Sequence, residues 1–408
     1  MPATLRISRI GHGGDGIAET NAGLVFVPFT LPGETVSAEL HGERAKALAI
    51  VNRSSERVEP PCPHFGACGG CSLQHWEPTA YREWKRQQVV AAFAQRGLDP
   101  PVAEIISCQP ASRRRAAFTA ARDGKRFVLG FNQIGSHEVV AIPECGILVP
   151  EIANRLETIA TLIAPLVQPR RRVRVAVIAA DNGLDIAIDD LGRVDDRSLD
   201  ALPGKISDPA IARVTIAGET IYLAREPELT AGPATLLPTP PGFIQAVASA
   251  ETAMAEAVLA AIGPAKRVAD LFSGIGTFSL RLAALSRVTA IDGDVASLAA
   301  LERAARRTQG LKQVKAIQRD LLADPLTARE LKLFDAIVFD PPRAGARGQA
   351  EQLAGSSVPI VVAVSCNPAT LARDARILVD GGYRLIGVQP IDQFLWSAHI
   401  EAVASFER

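Results

Sequence analysis

Lys266-Arg267-Val268-Ala269-Asp270-Leu271-Phe272-Ser273-Gly274-Ile275-Gly276-Thr277 reads as a strand over 266–271 that runs straight into a glycine-bearing turn. A helix is expected at 276–285, and a strand at 287–292 ends in Asp292. Outward from there the alternation continues. Helices are expected at 249–262 and 295–308, and strands at 313–318, 334–339 and 359–364. Regular strand–helix alternation of this kind specifies an α/β fold with a doubly wound, Rossmann-like parallel sheet. Residues 384–390 and 400–406 suit an antiparallel pair at its edge.

Open sheets of this class gather reactive groups at the carboxyl ends of their strands. Three strand ends here carry chemistry. The first is the turn Asp270–Thr277. The second is Asp340-Pro341-Pro342-Arg343, after Ala336–Phe339. The third is Ser365-Cys366-Asn367-Pro368, after Val362–Val364. They suggest a cofactor loop, a substrate-holding carboxylate and a nucleophile in one crevice. The turn has only Gly274 and Gly276, not the three glycines of a dinucleotide fingerprint. A glycine-poor turn suits S-adenosylmethionine, which has no pyrophosphate to cradle. Asp292 is placed to accept the ribose hydroxyls and Asp320 to face the adenine. The plainer reading makes both of them turn residues. A lone cysteine such as Cys366 is more commonly an inert packing group, but its Ser-Cys-Asn-Pro setting argues against that here.

The chain's 408 residues allow two or three domains, and 48% hydrophobic content allows a large core. No apolar run reaches the length of a membrane span, and the start lacks a hydrophobic signal core. A cytoplasmic protein that does not engage membranes, and acts as a monomer, is expected. Net charge is zero, so a nucleic-acid partner draws no support from overall charge. Basic character is local, in Arg113–Arg115 and Arg170–Arg172, and such runs are usually solvated faces.

Residues 1–56 read as short strands separated by Gly turns, an OB-like barrel. A Pro-, Cys- and Gly-rich stretch, 60–71, precedes a helix at 78–97 with Trp84, Val89, Val90 and Phe93 roughly on one face. Residues 57–230 form an α+β central unit, with strands near 115–121, 126–131, 173–179, 184–188 and 212–223 and a helix near 150–166. A Pro- and Gly-rich linker spans 227–241, and the C-terminal domain covers 240–408. Cys62, Cys68 and Cys71 cluster on one loop, and Cys145 has a suitable turn context for a fourth ligand. Four thiolates suit zinc or an iron–sulfur cluster, and spacing alone does not choose. Cys108 is most simply a packing residue. His64 and His75 are more ordinary as loop residues than as ligands.

Asp340-Pro341-Pro342-Arg343, Ser365-Cys366-Asn367-Pro368 and His399-Ile400-Glu401 occur in order, with Gln245 in Pro241-Gly242-Phe243-Ile244-Gln245 upstream. Together they closely resemble the RNA (uracil-5-)-methyltransferase family. The cysteine pattern resembles the [4Fe–4S] site of its 23S ribosomal-RNA members, and the barrel resembles their TRAM domain. The resemblance implies a class I methyltransferase domain, S-adenosylmethionine as methyl donor, Cys366 as nucleophile and Glu401 as base. It implies that Asp340 holds the pyrimidine edge. Gln245, Phe272, Gly274, Thr277, Asp292, Asp320 and Asp340 would line the cofactor site, and Cys62, Cys68, Cys71 and Cys145 would hold the cluster. The implied substrate is a uridine of 23S rRNA, flipped out of a single-stranded loop, with Arg113–Arg115 and the barrel on phosphates. A tRNA T-loop uridine is the alternative within the class. A non-catalytic RNA-binding assembly factor is the alternative outside it.

The chemistry fits the residue types. Carbon 5 of uracil is a poor nucleophile until a thiolate adds at carbon 6. A base must later remove the carbon 5 proton. Cytosine-5 enzymes need a second cysteine, which this domain lacks, and amine methyltransferases carry an aromatic where Arg343 stands. The chain departs from the family pattern at Ser273, Thr277, Asp292, Val247 and Leu395, none of them a catalytic group.

Overall fold

The computed structural model describes residues 2–192, 196–240 and 242–408. Met1 and Pro241, which begin the expected barrel and the Gln245 motif, lie outside the described residues.

The N-terminal strands close into a barrel in the order Ala3–Ile10, Gly16–Thr20, Gly23–Val27, Arg44–Asn52, Thr35–His41. Its interior is filled by alternating side chains such as Leu5, Ile7, Val25, Val27 and Val36. Gly16 admits close approach, because a Cβ there would sit 2.1 Å from Thr30 Oγ1.

The central sheet has seven strands, in the order Glu219–Leu223, Ile211–Ile216, Gly183–Asp189, Arg172–Ala180, Arg115–Asp123, Arg126–Asn132, Val139–Ala141. The single strand expected near 212–223 is a hairpin. It turns at Ala217 (φ 49°) and Gly218 (φ 86°), with Ile216 opposite Glu219. Two positive-φ residues match the twist of a two-residue hairpin. The helix expected near 150–166 is divided into Pro150–Ala153, Leu156–Ile163 and a 3₁₀ turn, Ala164–Leu166, that contains Pro165. Proline cannot donate in a continuing helix.

The C-terminal sheet orders as Val314–Gln318, Arg287–Asp292, Arg267–Leu271, Ala336–Phe339, Ile360–Ser365, Glu401–Glu407, Arg384–Asp392, Ile106–Ser107. The first five strands are parallel and Glu401–Glu407 is antiparallel to its neighbours. The central strands Ala336–Phe339 and Ile360–Ser365 are apolar almost throughout because helices cover both faces, whereas the edge strand Val314–Gln318 carries Lys315 and Gln318. Within Ala336–Phe339, Ile337 and Phe339 enter one core and Ala336 and Val338 the other. The expected helix at 276–285 shortens to Ser279–Leu282.

Two segments from before the central sheet are built into this layer. Helix Pro78–Ala94 is capped by Glu77, whose carboxylate accepts from the Thr79 and Ala80 amides. Its buried face is Tyr81, Lys85, Val89 and Phe93, a strict four-residue spacing, and Val89 and Phe93 join the C-terminal core. Strand Ile106–Ser107 pairs in parallel with Ile391 and Asp392 at the sheet edge. The proline-rich stretch read as a linker carries a hairpin, Leu229–Ala231 with Ala234–Leu236, packed on Ile244, Leu280 and Leu301. Among the described residues, no helix is long and apolar enough to cross a membrane.

Candidate active site

Strand order reverses between Arg267–Leu271 and Ala336–Phe339, which opens a crevice at their carboxyl ends. A cavity of about 730 Å³ lies there. Its wall includes Phe272, Gly274, Thr277 and Asp292, then Gln245 and Asp340, then Cys366 and Glu401. The three strand ends and the His-x-Glu segment therefore meet in one space, of a size suited to a cofactor and a base.

Backbone geometry shapes the cofactor side. Phe272 is left-handed at φ 61° and Gly274 at φ 52°. Gly276 (φ 95°) permits close contact with helix Val295–Arg307, since a Cβ would meet Leu301 Cδ1 at 1.9 Å. Asp292 accepts from the Gly274 amide at 2.8 Å through Oδ2 and from the Asp294 amide at 2.8 Å through Oδ1, which aims the carboxylate across the loop mouth. Ser273 Oγ and Asp270 Oδ1 are buried without partners. Burial pushes Asp270 up to about 7, against the Ser279 hydroxyl it accepts from. A wall with a free buried hydroxyl, open glycines and a carboxylate at the next strand end fits S-adenosylmethionine. Asp320 is not part of this wall. Its Oδ1 accepts from the Leu322 and Ala323 amides and closes a turn.

The reactive side chains follow from strand register. Ser365 pairs with Ala402, so one step further Cys366 comes abreast of Glu401. Asn367 caps helix Pro368–Asp380 by accepting from the Ala369 amide, so the thiol stands just before a helix N-terminus. That position favours a thiolate. Against it, burial and the nearby Glu401 and Asp340 carboxylates push the Cys366 thiol up to about 11, with Arg343 opposing. Burial raises Asp340 well above the carboxylate range, and burial together with Asp340 raises Glu401. A thiol beside two carboxyls that hold protons near neutrality can attack, donate and accept protons in one enclosed space.

The groups that hold these side chains are less visible in the sequence. Gln393 is 3% exposed and donates through Nε2 to Gln245 Oε1 and Glu401 Oε1, each at 2.8 Å. Gln245 Nε2 in turn lies 3.4 Å from Asp340 Oδ2. Gln393 stands six residues ahead of His399, and nothing in the sequence alone marked it. Arg114, within the basic run proposed for phosphates, is buried and pairs with Glu251 at 2.6 Å. Glu251 also holds Arg281 at 2.8 Å, and Arg281 donates to the Thr277 carbonyl. The run thus ties the central sheet to the cofactor loop. Arg115 lies over the Phe243 ring at 4.9 Å, and Phe243 is an exposed part of the cavity wall.

Arg343 borders a second cavity, of about 650 Å³, whose wall includes Cys62, Cys68, Cys71 and Cys145 as well as Phe394 and His399. All four thiols are free, and each is partly buried. Cys68 Sγ accepts from the Gly70 amide at 3.3 Å, and Arg113 borders the same space. Gly69 allows the loop to press on the central sheet, where a Cβ would be 2.8 Å from the Asn132 carbonyl. Among the described residues, no three His, Cys, Asp or Glu side chains are drawn up tightly enough to hold a metal ion. The thiols converge on a cavity instead, and the donor set, thiolates with amide and guanidinium donors beside them, fits a thiolate-ligated cluster. His75 packs against Phe29 and Phe65 and is outside the wall, whereas His64 is within it. Cys108 is buried beside Ser249, away from the other thiols.

Relatives extend these observations over the whole chain. A family profile for tRNA (uracil-5-)-methyltransferases matches residues 239–408. An uncharacterized RNA methyltransferase of Rhizobium meliloti is 49% identical over 99% of both chains. The 23S rRNA (uracil(1939)-C(5))-methyltransferase of Chromohalobacter salexigens is 34% identical, covering 99% of this chain and 89% of its own. The crystal structure of Pyrococcus abyssi tRNA (uracil-54, C5)-methyltransferase with S-adenosyl-L-homocysteine shares the fold, with a TM-score of 0.77 at 20% identity over 99% of both chains. The chain belongs to the S-adenosylmethionine-dependent RNA (uracil-5-)-methyltransferase family.

Proposed function

We propose that the protein methylates carbon 5 of a uridine in 23S rRNA through a covalent adduct between Cys366 and carbon 6. The observation that carries this reading is the convergence of Cys366, Glu401 and Asp340 on the cavity walled by the cofactor loop. S-adenosylmethionine, when bound, supplies an electrophilic methyl group on its sulfonium. Gln245, Phe272, Gly274, Thr277, Asp292 and Asp340 would hold it beside the flipped base.

The residues then act in sequence. Asp340, protonated by burial, donates to the pyrimidine edge and holds the ring against Cys366. Arg343 and the helix N-terminus at Asn367 favour loss of the Cys366 thiol proton to solvent as the base docks, and the thiolate adds at carbon 6 and makes carbon 5 electron-rich. After carbon 5 is methylated, ionised Glu401 takes its proton. The electron pair of that C–H bond forms the 5,6 double bond, and the thiolate leaves.

Cys62, Cys68, Cys71 and Cys145 would hold a [4Fe–4S] cluster. Methyl transfer needs no electron, so its part is to cross-link the 62–71 loop to the Cys145 loop beside the RNA-facing cavity. The rRNA target is supported by the 23S rRNA enzyme that matches this chain nearly end to end, barrel and cysteine segment included. The test is to map 5-methyluridine in rRNA and tRNA from a strain lacking the gene. Loss of one 23S position is expected. Loss from tRNA alone would reassign the target.

A further inference from the structure

Gln393 occupies an unusual electrostatic position. Its Oε1 accepts the Ala246 backbone N–H at 2.9 Å, and only the amide oxygen can do that. The direction of the whole side chain is thereby set by main chain. Nε2 must point the other way, and it has two hydrogens. One goes to Gln245 Oε1 and the other to Glu401 Oε1, both at 2.8 Å. With Gln245 presenting its oxygen to Gln393, its own NH₂ is left for Asp340 Oδ2, 3.4 Å away. One backbone donor therefore sets the polarity of three side chains around the reacting centre.

We infer that Gln393 is a positioning residue that fixes Glu401 Oε1 as a permanent acceptor, so that Oε2 alone takes the carbon 5 proton. Resting on the reading of Glu401 as base, this deepens it by assigning the reactive oxygen and the group that selects it. A carboxyl held on one side by a donor with no lone pair cannot place its proton there. Any proton it carries must sit on the oxygen that Gln393 does not touch, and Glu401 forms part of the cavity wall. The same donor also stabilises the ionised form. Burial and Asp340 push Glu401 up, and Gln393 is the group that pulls it down. The other charged or titratable groups around this arrangement are Cys366, Arg343 and His399 on the cavity side, Arg114 with its partner Glu251 on the Gln245 carbonyl, and the Lys85–Asp392 pair beside Gln393. The network is buried, so solvent screens it little.

Gln393→Met keeps length and apolar packing but removes both donors. In protein carrying ¹³C-labelled glutamate carboxyls, with the Glu401 signal assigned by its absence in Glu401→Gln, the Glu401 midpoint should move up by about one pH unit or more, the scale of a hydrogen bond to a charged group. With 23S rRNA fragments and methyl-labelled cofactor, Gln393→Met should release product roughly tenfold more slowly or worse. It should accumulate methyl-labelled protein–RNA adduct, and its limiting pH limb should follow the shifted midpoint. Gln393→Glu keeps the acceptor for Ala246 but places an oxygen against Glu401, and should raise the midpoint further. It serves if the Met variant does not fold. Lower thermal stability with the midpoint and pH limb unmoved would reduce Gln393 to packing and overturn the inference. If wild type neither methylates nor traps any RNA, the functional reading fails, while the carboxyl titration still decides whether Gln393 governs Glu401.

Discussion

Lys85 Nζ meets Asp392 Oδ1 at 2.5 Å, with both side chains fully buried, although the residues lie 307 positions apart. The pair joins helix Pro78–Ala94 to the strand end that leads into Gln393. Asp392 also accepts from the Tyr81 hydroxyl at 3.0 Å and the Phe394 amide at 3.0 Å, and Lys85 donates to the Phe394 carbonyl at 3.0 Å. Removing one partner leaves a buried charge. Lys85→Met should cost about 3–5 kcal/mol of stability in denaturant unfolding. Restoring much of that loss with Lys85→Met/Asp392→Asn would show that the stranded carboxylate, rather than lost packing, is the cause.

Cys366 and Glu401 stand abreast but serve different steps, and their variants should separate. Cys366→Ala should form no adduct and transfer no methyl. Glu401→Gln should add, methylate and stall, leaving methyl-labelled RNA attached to protein on a denaturing gel. Near wild-type turnover by Glu401→Gln would mean that another group removes the proton.

Raised carboxyl pKa values have a sign in stability. Glu401 is held above its unfolded value by burial and by Asp340. Its contribution is therefore fully present below the unfolded value and lost as pH rises through the folded one. Glu401→Gln mimics the protonated form. Its melting temperature relative to wild type should be flat below about pH 4.5, rise between there and about pH 8, and level off above. A relative loss on the alkaline side would show that the ionised form is the one the fold prefers.

The cysteine cavity makes a compositional prediction. Protein purified without oxygen should be brown and carry about four irons per chain, as a thiolate cluster requires. Cys62→Ala should lose the iron and Cys108→Ala keep it. Colourless protein with stoichiometric zinc would show a different metal centre.

The C-terminal sheet was legible because parallel strands buried on both faces are apolar runs, and their polar ends mark the crevice. Cys366 and Asp340 were singled out by their strand-end positions and Glu401 by the family resemblance of its His-x-Glu motif, and the structure places all three on one cavity. Three things were not legible. Lys85 is a charged residue on a buried face, and only its partner far along the chain makes that possible. Trp84 and Val90, read as part of the helix's apolar face, are only partly covered, because the buried face runs through Tyr81, Lys85, Val89 and Phe93 instead. Arg114 looked like a surface cation because its counter-ion Glu251 lies in another layer. Gln393 has no chemistry of its own in sequence, since its role depends on the Ala246 amide that orients it. The hairpin at Ala217–Gly218 was the plainest missed signal, a Gly following a small residue between two apolar runs.

Strand Ile106–Ser107 adds only two residues to the C-terminal sheet, yet it covers the flank of Arg384–Asp392. An uncovered flank is a template on which another chain can pair. The family profile begins at residue 239. A fragment cut there would lose that cover, along with Val89, Phe93 and Leu98 from the core beneath helix Pro368–Asp380. Such a fragment should self-associate, so the stretch that the family profile matches is smaller than the stretch that must fold together.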